Sequence, residues 1–119
     1  MNLMTLNDLQ GLIDIDVAGS LARFSNFEPM YLKYLKRFVT EPTYDALKDA
    51  IAAQDFKGIE SSAHTLKGIA GNLGLTALYH GFDEIVQDVR AGRNDAALQK
   101  CAEIDPKVIA VRQAIAQLD

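Results

Sequence analysis

The chain has 119 residues, 49% apolar and 24% charged, with a formal net charge of −4. That length suits one domain, expected to span residues 1–119 and to bury a sizeable core. The acidic balance, with a pI of about 5.1, argues against nucleic acid and anionic membrane as partners, and no apolar run is long enough to span a bilayer.

Cys101 is the single cysteine, so no internal disulfide is possible. A reducing, cytoplasmic location is the simplest expectation. The opening "MNLMTLNDLQ" has neither the basic region nor the apolar stretch of a signal peptide. Its start at Met1 and the amphipathic run near Asp119 read as a free-standing protein, expected to be a monomer.

Apolar residues recur at helical spacing throughout, and period-2 alternation is nearly absent. A short first helix fits Asp16 to Phe24, with Val17, Leu21 and Phe24 on one face. A second runs from about Glu28 to Val39 and buries Tyr31, Leu35 and Phe38. Pro42 starts or kinks a third, to about Ala53, carrying Tyr44, Leu47 and Ile51. The fourth runs from Asp55 to Leu73, with an apolar stripe of Phe56, Ile59, Ala63, Leu66, Ala70 and Leu73. Gly74 follows as a left-handed cap. The fifth runs from Thr76 to about Arg90, with Leu78, Phe82, Ile85 and Val89 inward. After the turn "AGRND", a last helix runs from Asp95 to about Leu118, with Ile104, Val108, Val111, Ile115 and Leu118 inward. Pro29, Pro42 and Pro106 each follow an acidic residue, a plausible helix start; Pro106 is alternatively a kink. The predicted fold is all-α: an antiparallel four-helix bundle with a short extra N-terminal helix.

The fourth helix contains "AHTLKGIAGNLG", residues 63–74. Gly68 and Gly71 together cost about 2 kcal/mol relative to alanine in a helix interior. At 100° per residue His64 lies about 100° from the inward Ala63. Lys67, Gly68 and Gly71 follow at i+3, i+4 and i+7, on the strip of His64, and Glu60 lies one turn before. An imidazole changes charge near neutral pH, so a ring nitrogen is free to attack an electrophile there. Phosphoryl transfer asks mainly for alignment and charge neutralisation, which Lys67 is placed to supply. Side-chain-free Gly68 and Gly71 leave room for a phosphoryl group or another protein's backbone.

Each residue also has an ordinary reading. A surface histidine on a helix commonly has no role, a lysine is commonly just solvated, and both glycines fit close helix packing. His80 falls beside the core stripe of its helix and is read as inert. Cys101 is read as a small buried residue, with nothing near it to activate a thiol. Tyr31 and Tyr34 are read as core and core edge.

"AHTLKGIAGNLG" resembles the signature of histidine-phosphotransfer domains of two-component phosphorelays. Their A-H-x-L-K-G pattern, then small residues and a glycine, is met at Ala63, His64, Leu66, Lys67, Gly68 and Gly74. The upstream "IDVAGSLARFSNFEPMYLKYLKRFV" and downstream "LGLTALYHGFDEIVQDVRAG" are similar to the family's entry, second and return helices. The likeness runs from about residue 13 to 92, and the C-terminal helix matches only as an amphipathic pattern. The resemblance implies a four-helix bundle with His64 exposed and reversibly phosphorylated by one receiver aspartate, then emptied by another. It implies Lys67 near the phosphoryl oxygens and Gly68 giving the receiver access. The partners would be receiver domains of response regulators or hybrid histidine kinases. The chain would need no cofactor of its own, with Mg supplied by the receiver. One departure is visible: many members carry Glu or Gln twelve residues after the glycine matching Gly74, where this chain has Val86, between Glu84 and Gln87.

Kinase elements are missing: there is no glycine-rich nucleotide loop or Walker motif. Two histidines without a Glu-x-x-His pair fall short of a bundle metal site. The rival to a phosphocarrier is a helical adaptor that docks signalling domains through the His64 face without phosphate, although docking alone has no need of an imidazole. An enzyme using His64 as a base ranks last, for want of a nucleophile or an orienting acid.

Overall fold

The computed structural model describes residues 4–118. Seven helices follow one another: α1 (Leu6–Gln10), α2 (Val17–Arg23), α3 (Glu28–Phe38), α4 (Pro42–Ala52), α5 (Phe56–Leu73), α6 (Thr76–Arg90) and α7 (Asn94–Ile115). The helix ends agree with the sequence expectation to within a residue or so, except that α7 stops at Ile115. Leu118 lies past that end and is still buried. α5 packs against α4 and α6, and α6 also packs against α7. Their connections are two or three residues long, which makes sequential neighbours antiparallel. The four form the bundle, and α1, α2 and α3 close its end and side.

One device stops three of these helices. At the end of α5, Gly74 takes φ +76°. Its N–H donates to the Gly71 carbonyl at 3.3 Å, and the Leu75 N–H donates to the Ala70 carbonyl at 2.9 Å, the pairing of a Schellman turn. Gln54 after α4 and Gly92 after α6 repeat it, with Asp55 N–H on Ala50 at 2.9 Å and Arg93 N–H on Asp88 at 2.8 Å. A helix leaves its last carbonyls without partners. At α5 they are all taken: Arg23 donates to Gly71 at 2.9 Å and Asn72 at 3.3 Å, the Tyr31 hydroxyl to Leu73 at 2.7 Å, and the Asp16 N–H to Gly74 at 2.8 Å. Arg23 also sets a positive charge at the negative end of the helix dipole. The N-terminal helices thus secure the C-terminal end of α5.

Tyr31 is fully buried, so Tyr31→Phe leaves the Leu73 carbonyl without its donor. The expected loss is about 1–3 kcal/mol of unfolding free energy, read by urea denaturation with the m-value unchanged. A loss below a few tenths would mean that water replaces the hydroxyl.

The core stripe of α5 is as expected: Ile59, Ala63, Leu66, Ala70 and Leu73 are buried, and Phe56 is half-buried. Tyr34 is 38% exposed, at the core edge. Two expectations need correction. The extra N-terminal helix is a pair, because α1 precedes the predicted one. Five residues are too short to show periodicity, but Thr5 and Asp8 form a capping box, which was the available signal. Second, Pro106 does not start a helix. Pro29 and Pro42 sit in first turns, whereas α7 runs through Pro106. Its missing N–H leaves the carbonyl of Ala102, on an exposed part of the helix, free for water, and the preceding Asp105 accepts the Tyr44 hydroxyl.

Candidate functional site

His64 is the ninth of the eighteen residues of α5. Its side chain is exposed, while Ala63 and Leu66 on either side of it in sequence are buried. A helix that turns one stripe inward must carry a residue 140° away from that stripe into solvent. Gly68, one turn on, is exposed, and a Cβ built there meets no heavy atom within 4 Å. Packing among the described residues therefore does not require a glycine at 68. Gly71 differs. A Cβ there would meet the Tyr79 ring at 3.1 Å, so its bare backbone serves the seating of α6 on α5 rather than open space for a partner.

Two ion pairs cross from α5 to α6, one on each side of His64. One turn before, Glu60 accepts from Arg90, Nε to Oε1 at 3.1 Å. One turn after, the Lys67 ammonium lies 3.0 Å from Asp83 Oδ1 and 5.9 Å from the centre of the Tyr79 ring. The same Asp83 oxygen accepts from Gln87 Nε2 at 3.4 Å. The Lys67 hydrogen bond, followed by that of Gln87, holds the Asp83 carboxyl below the usual carboxylate range. The polarity is reversed between the pairs: α5 supplies the acid before His64 and the base after it.

One register explains these neighbours. The residue numbers of Glu60–Arg90, Lys67–Asp83 and Gly71–Tyr79 each total 150. That constant is what an antiparallel pair folded about Gly74 and Leu75 produces. It sets His64 level with Val86, which is fully buried. That position offers no polar group, and the polar side chains that α6 brings beside this face are Asp83, Gln87 and Arg90. Asp83 was missed in the sequence. The signal was there, since a two-residue connection after Gly74 fixes the register and pairs 67 with 83.

The remaining titratable groups lie elsewhere. His80 is exposed and edge-on to Tyr79 at 5.3 Å. Cys101 is buried, and burial pushes its thiol up to about 11, the opposite of activation. Asp88, almost fully buried, is held by Arg93 at 2.9 Å and Lys100 at 2.8 Å and staples the α6–α7 turn. Among the described residues no group of three or more His, Cys, Asp or Glu side chains is placed to hold a metal ion. No helix of the described residues is long and apolar enough to cross a membrane.

Comparison with known proteins places part of the chain in a family. Residues 39–119 fit the family model described as the Hpt domain. No curated protein and no solved structure matches. The match covers α4 to α7 and so includes the C-terminal helix, which had looked related only by its amphipathic pattern. The stretch before residue 39, whose sequence resembles the family's entry and second helices, lies outside it. Hpt domains are phosphocarriers rather than kinases, act in two-component phosphorelays and interact there with receiver domains. More than half of the chain, including the helix with His64 and the return helix that supports it, fits that family, and the chain belongs to the Hpt domain family.

Proposed function

We propose that this chain relays a phosphoryl group between receiver-domain aspartates through His64. The observation that carries the reading is the exposed His64 in mid-helix beside Gly68, where an added Cβ meets nothing within 4 Å. A helix gives up about 1 kcal/mol for that glycine, and what it gains in return is free approach to the imidazole.

An unprotonated ring nitrogen attacks the phosphorus of an aspartyl phosphate. The N–P bond forms as the O–P bond breaks, and the aspartate leaves as a carboxylate. A second receiver's carboxylate reverses the same exchange and takes the group onward. Lys67 brings a positive charge to one side of the phosphoryl oxygens, and Arg90 stands on α6 a turn away in the other direction. The carboxylates flanking His64, Glu60 and Asp83, are already occupied by these cations. Magnesium is thus better supplied by the receiver than held by this chain. A groove of about 440 Å³ between α3 and α5, lined by Tyr34, Arg37, Ile69 and Asn72 among others, adds apolar and cationic surface for a protein partner. The reading places the chain in the cytoplasm as a monomer.

The test is incubation with a phosphorylated receiver domain. Acid-labile, base-stable phosphate on this chain, mapped to His64, is the expected result. Binding without labelling would favour the adaptor reading instead.

Gly68→Gln separates access from folding. Helix propensity should add about 0.5 kcal/mol of stability, because nothing in the fold is displaced. Receiver-dependent labelling should slow, by roughly tenfold if crowding costs the transition state about 1.4 kcal/mol. Lost helicity by circular dichroism would assign Gly68 to packing; unchanged labelling would remove it from the docking face.

A further inference from the structure

Of the four charged residues around His64, two are carboxylates, Glu60 and Asp83, and Asp83 is the one that holds Lys67, the cation assigned to the phosphoryl group. A phosphorylated imidazole carries negative oxygens, and a carboxylate nearby works against them. Asp83 lies beside that face, joined at 3.0 Å to Lys67, the cation one turn after His64 on α5. The pair is partly open to solvent, with side-chain exposures of 25% for Lys67 and 34% for Asp83, so the Lys67 ammonium is free to exchange one acceptor for another. Gln87 donates to the same carboxylate oxygen at 3.4 Å. Val86, level with His64, supplies no competing hydrogen bond. On the phosphocarrier reading Lys67 therefore has two anions to serve, Asp83 and the phosphoryl group.

We propose that Asp83 is a positioning residue that competes with the phosphoryl group for the Lys67 ammonium and so sets how much phosphoryl rests on His64 at equilibrium. This rests on the phosphocarrier reading of His64. In the empty protein Asp83 holds the Lys67 ammonium at 3.0 Å. In the loaded protein the ammonium must leave a carboxylate to serve the phosphate, and that competition raises the free energy of the loaded state. A carrier that must give the group up again gains by this, because a phosphohistidine held too well would not pass it on.

The probe is N-phosphoimidazole. Phosphoryl passes from one imidazole to another: the N–P bond of the probe breaks, the N–P bond to His64 forms, and free imidazole leaves. Bond types match on both sides, so the exchange constant reports the surroundings of His64. Phosphorus NMR at several imidazole concentrations measures it from both directions. Asp83→Asn should shift the constant toward loaded His64 by about three- to fivefold, as expected for release of an exposed ion pair worth up to about 1 kcal/mol. Asp83→Glu, which keeps the charge, should restore most of the wild-type value. In a Lys67→Met background the Asp83→Asn shift should fall to less than half, since no ammonium remains to be contested.

No shift, a shift toward free phosphoimidazole, or an equal shift in the Lys67→Met background would overturn the role of Asp83. Asp83→Ser serves the same comparison if Asp83→Asn does not fold. The two readings fail separately. If wild-type His64 takes no phosphoryl and His64→Gln labels equally, the carrier reading falls, and this one with it. If wild-type His64 loads and Asp83→Asn leaves the constant unmoved, only the role of Asp83 falls.

Discussion

His64→Gln is expected to abolish phosphoryl uptake from a phosphorylated receiver. Glutamine keeps a polar side chain of similar length but has no ring nitrogen with a free lone pair. Its amide nitrogen is conjugated with its carbonyl and does not attack phosphorus. The fold should be unaffected. His64 is exposed, and substitutions at such positions stay within about 0.5 kcal/mol. Thermal unfolding and helicity should therefore match wild type while acid-labile phosphate disappears. Receiver binding, measured separately by titration, should persist within a few-fold, because the docking surface is wider than one side chain. Residual acid-labile phosphate on the variant would place the acceptor elsewhere, with His80 the remaining imidazole. Acid-stable phosphate would mean a different chemistry altogether.

Lys67→Ala should slow transfer without stopping it. The nucleophile remains, and what is lost is one charge-assisted contact to a phosphoryl oxygen, worth on the order of 1.5–3 kcal/mol. Realised mainly in the transition state, that is roughly a ten- to hundredfold drop in the single-turnover rate. The change in stability should be small. The Lys67–Asp83 pair is partly solvent-exposed, and such pairs contribute about 0–1 kcal/mol. Asp83 retains Gln87 as a donor. Measuring the rate at saturating receiver separates the phosphate from the partner. A lower rate at saturation places the Lys67 ammonium on the phosphoryl group. Weaker docking with an unchanged saturated rate would make it a docking residue. The second outcome would also remove the basis for a competing role of Asp83, so these variants are best read together.

The number, order and extent of the bundle helices were legible in the sequence. Spacings of three and four run unbroken through Ile59, Ala63, Leu66, Ala70 and Leu73, and no strand pattern competes with them. The same periodicity put His64 outside, because a rotation of 100° per residue fixes angle around an axis with little error over two turns. Gly74 was readable as a stop because its chemistry is local. The case of α1 is different. Five residues hold too little pattern, and its stability comes from Leu6 and Leu9 reaching a core whose position the local sequence does not encode. Pro106 shows a related limit. An acid–proline pair starts a helix or interrupts one, and in α7 flanking residues packed on the bundle carry the helix past it.

What lies across from His64 was decided by tertiary structure. Periodicity states which way a side chain points and not what it meets. The neighbours depend on the register of α6 on α5, which the Gly74 turn and the seating of Gly71 on the Tyr79 ring establish together. That register commits Lys67 to Asp83 and Arg90 to Glu60, and it brings buried Val86 level with the imidazole. It also distinguishes two glycines that look alike on a helical wheel. Gly71 is spent on packing and Gly68 is left open, because a wheel has no partner helix on it and only the partner's side chains determine whether a missing Cβ is a contact or a gap.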